Sequence, residues 1–191
     1  GLKDKIIGVT DFCDWPPEAK AKPKIGGIIN PSFEAIIRLR PDLAILTTDG
    51  NPKEAEEKIK SLGIKTFVFD GRSIHGLPDE IRRLGAALKA VDKAEKLASR
   101  IETSITALKR PPSGKTALFI VWPEPLVVAG KETAINEAME ILGLKNAAFD
   151  SFGPYPKFSM EEALRRSPDV IFFGAGMGVM GDIAKVSVGI L

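Results

Sequence analysis

Apolar strands alternating with amphipathic helices in both halves of the 191-residue chain predict an α/β fold, with two lobes built on parallel sheets and joined by one long α-helix. Three observations carry this: the alternation itself, an internal repeat without gaps, and a continuous helical pattern between the two copies. The expected boundaries are an N-terminal α/β lobe over 1–77, the connecting helix over 78–110 and a C-terminal α/β lobe over 111–191.

Lys5 to Thr10 (KIIGVT) reads as a short buried strand, and the following Asp-Phe-Cys-Asp-Trp-Pro-Pro is a loop, because paired prolines forbid both helix and ladder. Asn30-Pro31-Ser32 opens a helix, with Pro31 at a first-turn position and Phe33, Ile36, Ile37 and Leu39 apolar, and the helix stops before Pro41. Leu43 to Thr47 is a strand, Pro52 to Leu62 a charged amphipathic helix ended by Gly63, and Lys65 to Phe69 a third strand. From about Pro78 to Lys109, Ile81, Leu84, Leu88, Val91, Ala94, Leu97, Ile101 and Ile105 recur at spacings of three and four, which predicts a single helix. The second half repeats the alternation: strands Thr116 to Trp122 and Leu126 to Val128, helices Glu132 to Leu142 and Ser159 to Arg166, and strand Val170 to Phe173. Ser159 with Glu162 fits a capping box.

The repeat places Ser32-Phe-Glu34-Ala-Ile-Ile-Arg38-Leu-Arg-Pro41-Asp42 on Ser159-Met-Glu161-Glu-Ala-Leu-Arg165-Arg-Ser-Pro168-Asp169, and Ser, Glu, Arg, Pro and Asp coincide. A helix start followed by a Pro-Asp turn is also common punctuation in α/β chains. The long helix between the copies favours a repeated lobe.

Composition narrows the function classes. With 27 Lys plus Arg against 25 Asp plus Glu the net charge is +2, too small for a protein held to nucleic acid mainly by charge. A 44% hydrophobic and 27% charged chain buries an ordinary globular core. No apolar run approaches the ~20 residues of a spanning helix, and the start, Gly-Leu-Lys-Asp-Lys-Ile-Ile, has no signal-peptide pattern. One cysteine, Cys13, and one histidine, His75, support no zinc site, and GxSxG, Walker A and HExxH patterns are absent. No catalytic residue, metal or cofactor is therefore expected.

Glu34 and Glu161 stand at matching first-turn positions. Each gains about 0.3–1 kcal/mol from its helix dipole, which accounts for either one alone. As a pair they also suit a two-fold symmetric partner with basic pockets. The two tryptophans and the tyrosine all neighbour proline: Asp14-Trp15-Pro16-Pro17, Trp122-Pro123-Glu124-Pro125 and Pro154-Tyr155-Pro156. Aromatics on rigid loops at strand ends suit stacking on a large ligand, and Asp14, Trp15, Trp122 and Tyr155 are the candidate ligand contacts. Packing of each ring on its own proline is the other reading. Gly176-Met-Gly178-Val-Met-Gly181 matches GxGxxG formally, and an α/β enzyme holding a nucleotide cofactor there is the alternative function. Only ten residues follow Gly181, too few for the rest of a dinucleotide site, so the segment reads as a turn.

Ile6-Ile-Gly-Val-Thr-Asp-Phe-Cys-Asp-Trp-Pro-Pro-Glu-Ala, Pro23-Lys-Ile-Gly-Gly, Asn30-Pro-Ser-Phe-Glu34 and Leu39-Arg-Pro-Asp-Leu resemble the N-terminal lobe of cobalamin-type and iron-siderophore-type solute-binding proteins of ABC importers. Pro125-Leu-Val-Val-Ala-Gly-Lys-Glu-Thr, Pro154-Tyr-Pro-Lys-Phe-Ser-Met-Glu161 and Arg166-Ser-Pro-Asp-Val-Ile are similar to stretches of the second lobe. The resemblance implies two Rossmann-like lobes with a bulky metal chelate, corrinoid or ferric siderophore or heme, held between them. It implies contacts from Trp15 and Tyr155, docking of Glu34 and Glu161 on a membrane permease dimer, and a periplasmic or extracellular membrane-associated protein that is not an enzyme. The family usually carries a further strand and helix before the segment at Gly1 and a Trp-containing segment and helix past Leu191, so the chain is expected to be short at both ends. A tryptophan that some cobalamin binders carry before the Asn-Pro-Ser helix is replaced around Gly27 and Ile28.

Overall fold

In the computed structural model, which describes residues 2–173, the first α-helix is α1 (Phe33–Leu39). Ser32 caps it, its hydroxyl accepting from the Ala35 amide at 3.2 Å, so Pro31 lies just ahead of the cap rather than inside the first turn. Arg40, in the left-handed region at φ 49°, ends it before Pro41. β1 (Leu43–Thr47), α2 (Lys53–Ser61) and β2 (Lys65–Phe69) follow. β1 and β2 pair in parallel, Leu43 with Lys65 through Thr47 with Phe69. Ile36, Leu46 and Ile59 close a core between helices and sheet, with Ile25, Phe33 and Val68 packed against it.

The strand expected over Lys5 to Thr10 does not form. Lys3–Lys5 is a turn of 3-10 helix, and Ile6 and Ile7 stay nearly half exposed. Val9 makes one parallel bridge to Lys24, with amide bonds from Val9 to the Pro23 carbonyl, from Ile25 to Val9 and from Asp11 to Gly26. The pairing stays short because Pro23 has no N–H to give and the chain turns at Gly26 to bridge Pro31.

The long helical stretch is divided into α3 (Leu77–Ala87) and α4 (Val91–Leu108). Between them Lys89 adopts φ 54°, with the Lys89 amide on the Ala86 carbonyl at 3.2 Å and the Ala90 amide on Gly85 at 2.8 Å. This is a Schellman end built on lysine in place of the usual glycine, so the apolar periodicity continues across it without a mark. The Glu137 carboxylate accepts from Ser73 Oγ (3.1 Å) and from the amides of Ile74 (2.6 Å) and His75 (3.1 Å), holding the segment ahead of α3. Arg82 of α3 bonds Glu95 and Glu102 of α4, and this pairing depresses the Glu95 carboxyl to about 2.

β3 (Thr116–Pro123) organises the second sheet. β4 (Leu126–Val128) returns antiparallel to it, a departure from an all-parallel sheet that the tight Glu124-Pro125 turn dictates. After α5 (Ala134–Ile141), β5 (Lys145–Asn146) pairs with β3 in parallel, and after α6 (Met160–Arg165), β6 (Val170–Phe173) does the same. Ala117 pairs with both Asn146 and Val170, so β5 and β6 lie on opposite edges of β3. Leu118, Ile120, Leu126, Val128, Ala148 and Ala163 form the core. Asn146, buried in it, donates to the Ala129 carbonyl and to Asn136, and among the described residues no buried side-chain polar atom lacks a partner.

The chain divides into two compact units, one of Gly1–Gly71 with Arg83–Val91, the other of Arg72–Arg82 with Asp92 onward. The repeat has one copy in each, α1–β1 and α6–β6. Ser159 accepts from the Glu162 amide at 3.0 Å as Ser32 does from Ala35, and Ser167, at φ 43°, ends α6 as Arg40 ends α1. Only half of the expected capping box is made, because the Glu162 side chain turns to Arg165 and Arg166 instead of to Ser159.

Candidate functional site

In the first unit Asp14 and Trp15 sit on a loop fastened by one cation. Lys24 Nζ donates to the carbonyls of Cys13 (2.9 Å) and Thr10 (3.3 Å), the Cys13 amide bonds Thr10, and Thr10 Oγ1 meets Cys13 Sγ at 3.2 Å. On this fixed loop Trp15 is 82% exposed. Packing on the adjacent Pro16 therefore leaves most of the ring open. Phe12, on the same loop, is equally open. It has no proline neighbour, so nothing in its local sequence marks it.

Trp122 and Tyr155 belong to the second unit. Trp122 lies at the end of β3 opposite Val127, and its indole N–H donates to the Glu124 carbonyl at 2.8 Å. Its polar end thus stiffens the β3–β4 turn, and the ring is only partly open. The Tyr155 loop runs along the outer side of β4: Val128 bonds Pro156, Gly130 bonds Pro154, Phe158 bonds Leu126, and Val127 bridges Lys157. Trp122, Val127 and Lys157 thus lie side by side across β3, β4 and the Tyr155 loop, and Trp122 and that loop are brought to one end of this sheet. The approach leaves no room for a side chain at Gly130, where a Cβ would stand 2.7 Å from the Gly153 carbonyl oxygen.

Arg166 secures the segment ahead of that loop. Its guanidinium donates to the Ala147 carbonyl (3.0 Å) and to Asp150, bonds Glu162 at 2.7 Å, and lies 5.4 Å over the Phe158 ring. These bonds hold the Asp150 and Glu162 carboxyls below the usual carboxylate range and push the Arg166 guanidinium up. Phe149 and Phe152 extend from this segment, and Phe152 is fully exposed. Lys24 and Arg166 are the two anchors that the sequence reading did not single out, since their partners are carbonyls and carboxylates that only folding brings near.

Glu34 and Glu161 are exposed on the first turns of α1 and α6, one in each unit. Glu34 pairs with Arg38 at 2.9 Å. Among the described residues no group of three or more His, Cys, Asp or Glu side chains is placed to hold a metal ion, and no helix is long and apolar enough to cross a membrane. Gly176 to Gly181, the expected glycine turn, lies outside the described residues.

The family model described as periplasmic binding protein matches residues 1–185. The vitamin B12-binding protein of Pectobacterium carotovorum subsp. carotovorum is 28% identical over 179 residues, which are 91% of this chain and 65% of that relative. The chain therefore spans a little under two thirds of its length. Among solved structures, the periplasmic vitamin B12 binding protein BtuF of Vibrio cholerae aligns with a TM-score of 0.75 at 25% identity, covering 91% of this chain and 69% of that one. The periplasmic heme-binding protein RhuT from Roseiflexus sp. RS-1, in its apo form, aligns at 0.78 and 28%, again over 91% and 69%. The two-unit α/β fold, its repeat and this match over nearly the whole sequence agree that the chain belongs to the periplasmic binding protein family.

Proposed function

We infer that the protein is the extracytoplasmic substrate-binding component of an ABC importer, capturing a bulky metal chelate of the cobalamin, heme or ferric siderophore class and delivering it to a membrane permease. It acts by binding alone, in the periplasm or at the outer face of a membrane. The observation that carries this reading is the set of aromatic rings on braced loops, above all Trp15, open on the loop held by Lys24, with the partly exposed Tyr155 on the loop laid along β4. Flat macrocyclic or aromatic chelates present wide polarisable faces, and a ring held in place on the protein loses little freedom when it stacks on them. The vitamin B12-binding and heme-binding relatives support the same ligand class. With no metal-ligating cluster among the described residues, the metal would be carried inside its chelate, and side chains would grip the organic periphery.

Glu34 and Glu161 would meet basic residues on two permease subunits, one from each unit of the chain. Binding is tested by titrating cyanocobalamin, hemin and ferric enterobactin while following tryptophan fluorescence, with Trp15→Ala and Tyr155→Ala as variants. One chelate class should quench the parent protein and bind each variant at least ten-fold more weakly. No response to any of the three would overturn the ligand class.

A further inference from the structure

We propose that the docking surface on each unit is an exposed apolar side chain set beside a glutamate, Ile37 with Glu34 and Leu164 with Glu161, and that it takes a partner of two like subunits, each presenting a basic group next to an apolar pocket. The proposal rests on the permease-docking reading above and adds residues to it. Ile37 is 49% exposed on α1 and Leu164 71% exposed on α6. They occupy the same position of the repeat, one residue before the shared arginines Arg38 and Arg165 and three after the shared glutamates. The preceding position points into the core in both copies, where Ile36 and Ala163 are buried. Core packing therefore explains the 36/163 position and leaves 37/164 unexplained.

A single exposed aliphatic side chain on a helix needs no explanation. Two at equivalent positions of two units, each next to an exposed carboxylate, describe a surface made twice. Met160, 65% exposed one turn before Leu164, widens the apolar area on α6. Charge sets the partner's chemistry. Among the described residues Glu161 has no ion-pair partner, because Arg165 is drawn to Glu162. Among the described residues Glu34 is held only by the exposed Arg38, a pair too weak to resist a basic group arriving with a desolvated apolar contact. The glutamate would govern encounter and the aliphatic side chain residence.

The test uses the full chain on immobilised nanodiscs carrying ABC permease–ATPase complexes of the vitamin B12 and heme types. Ile37→Gln and Leu164→Gln keep helix-forming side chains and are compared with the parent and with the double variant Glu34→Lys, Glu161→Lys. Each glutamine variant should weaken binding about five- to ten-fold through faster dissociation, and the pair together about fifty-fold, with unchanged salt dependence. The lysine variant should instead slow association. If the double glutamine variant binds within two-fold of the parent while the lysine variant associates slowly or not at all, the proposal is overturned and the docking reading stands. If the parent itself binds neither complex, that reading falls and the proposal with it. Ile37→Ala and Leu164→Ala, judged by the same two-fold limit, decide the matter if a glutamine variant melts early.

Discussion

The two copies of the helix–turn–strand unit share caps, left-handed ends and Pro-Asp turns, yet they brace their neighbouring loops by opposite means. In the first copy Leu39 packs so tightly over the backbone ahead of the Trp15 loop that a Cβ on Gly8 would meet its Cδ1 at 2.6 Å. In the second copy the equivalent residue is Arg166, which grips the segment ahead of the Tyr155 loop through Ala147, Asp150 and Glu162. One backbone plan therefore places an apolar side chain in one copy and an ionic one in the other at the same position, and the Trp15 loop takes its cation from Lys24, outside the repeat. The change is local in sequence: Glu162 stands where the first copy has Ala35, giving Arg165 and Arg166 a second carboxylate, beside Glu161, at a position where α1 has none.

The comparison can be broken most directly at Arg166. Arg166→Met keeps an unbranched apolar side chain but removes the guanidinium from the Phe158 ring and strands the Ala147 carbonyl and the two carboxylates. It should cost about 2 kcal/mol in urea unfolding and weaken chelate binding through the Tyr155 loop. A loss below ~0.5 kcal/mol would mean that the ionic brace is ornamental. Leu39→Ala comes next, at about 1–1.5 kcal/mol, because the side chain is only partly buried and the site can partly collapse. Its effect should fall on the Trp15 loop, read as a change in tryptophan emission, and should not depend on pH.

The smallest effect, and the one that separates the two braces best, is acid sensitivity. The Asp150 and Glu162 carboxyls lie below their usual values of 3.8 and 4.5 in the folded state because Arg166 bonds them. A depressed folded pKa adds stability that is present above the unfolded value and lost as pH falls through the folded one. The parent melting temperature should therefore drop below about pH 4.5 more steeply than that of Arg166→Met. Parallel melting curves for the two proteins would show that these carboxylates contribute nothing to stability.

Local signals carried much of this fold into the sequence. β1, β2 and β6 were readable residue for residue because each is an apolar run pinned by Pro-Asp or by glycine, and the cap Ser159 announced its helix. The failures lie where local chemistry is silent. Lys5 to Thr10 has the composition of a strand, but strand formation depends on a partner, and its neighbour begins with Pro23. Lys89 ends α3 in a conformation that lysine seldom adopts, so nothing in the side chain marks the break. For the candidate site, the aromatics and the paired glutamates were visible as residue types in unusual surroundings. The braces were not, because Lys24 and Arg166 act on carbonyls and carboxylates whose proximity is created by tertiary structure.

The chain passes from the first unit to the second after Gly71, back after Arg82 and across again after Val91. α3 is shared as a result: Arg82 reaches Glu95 and Glu102, while the next residue, Arg83, lies over the ring of Phe67. In terms of protein dissection, neither unit can be expressed as an uninterrupted segment. A fragment beginning at Asp92 would leave the Glu137 carboxylate without Ser73, Ile74 and His75, and any cut between residues 73 and 90 severs both units at once.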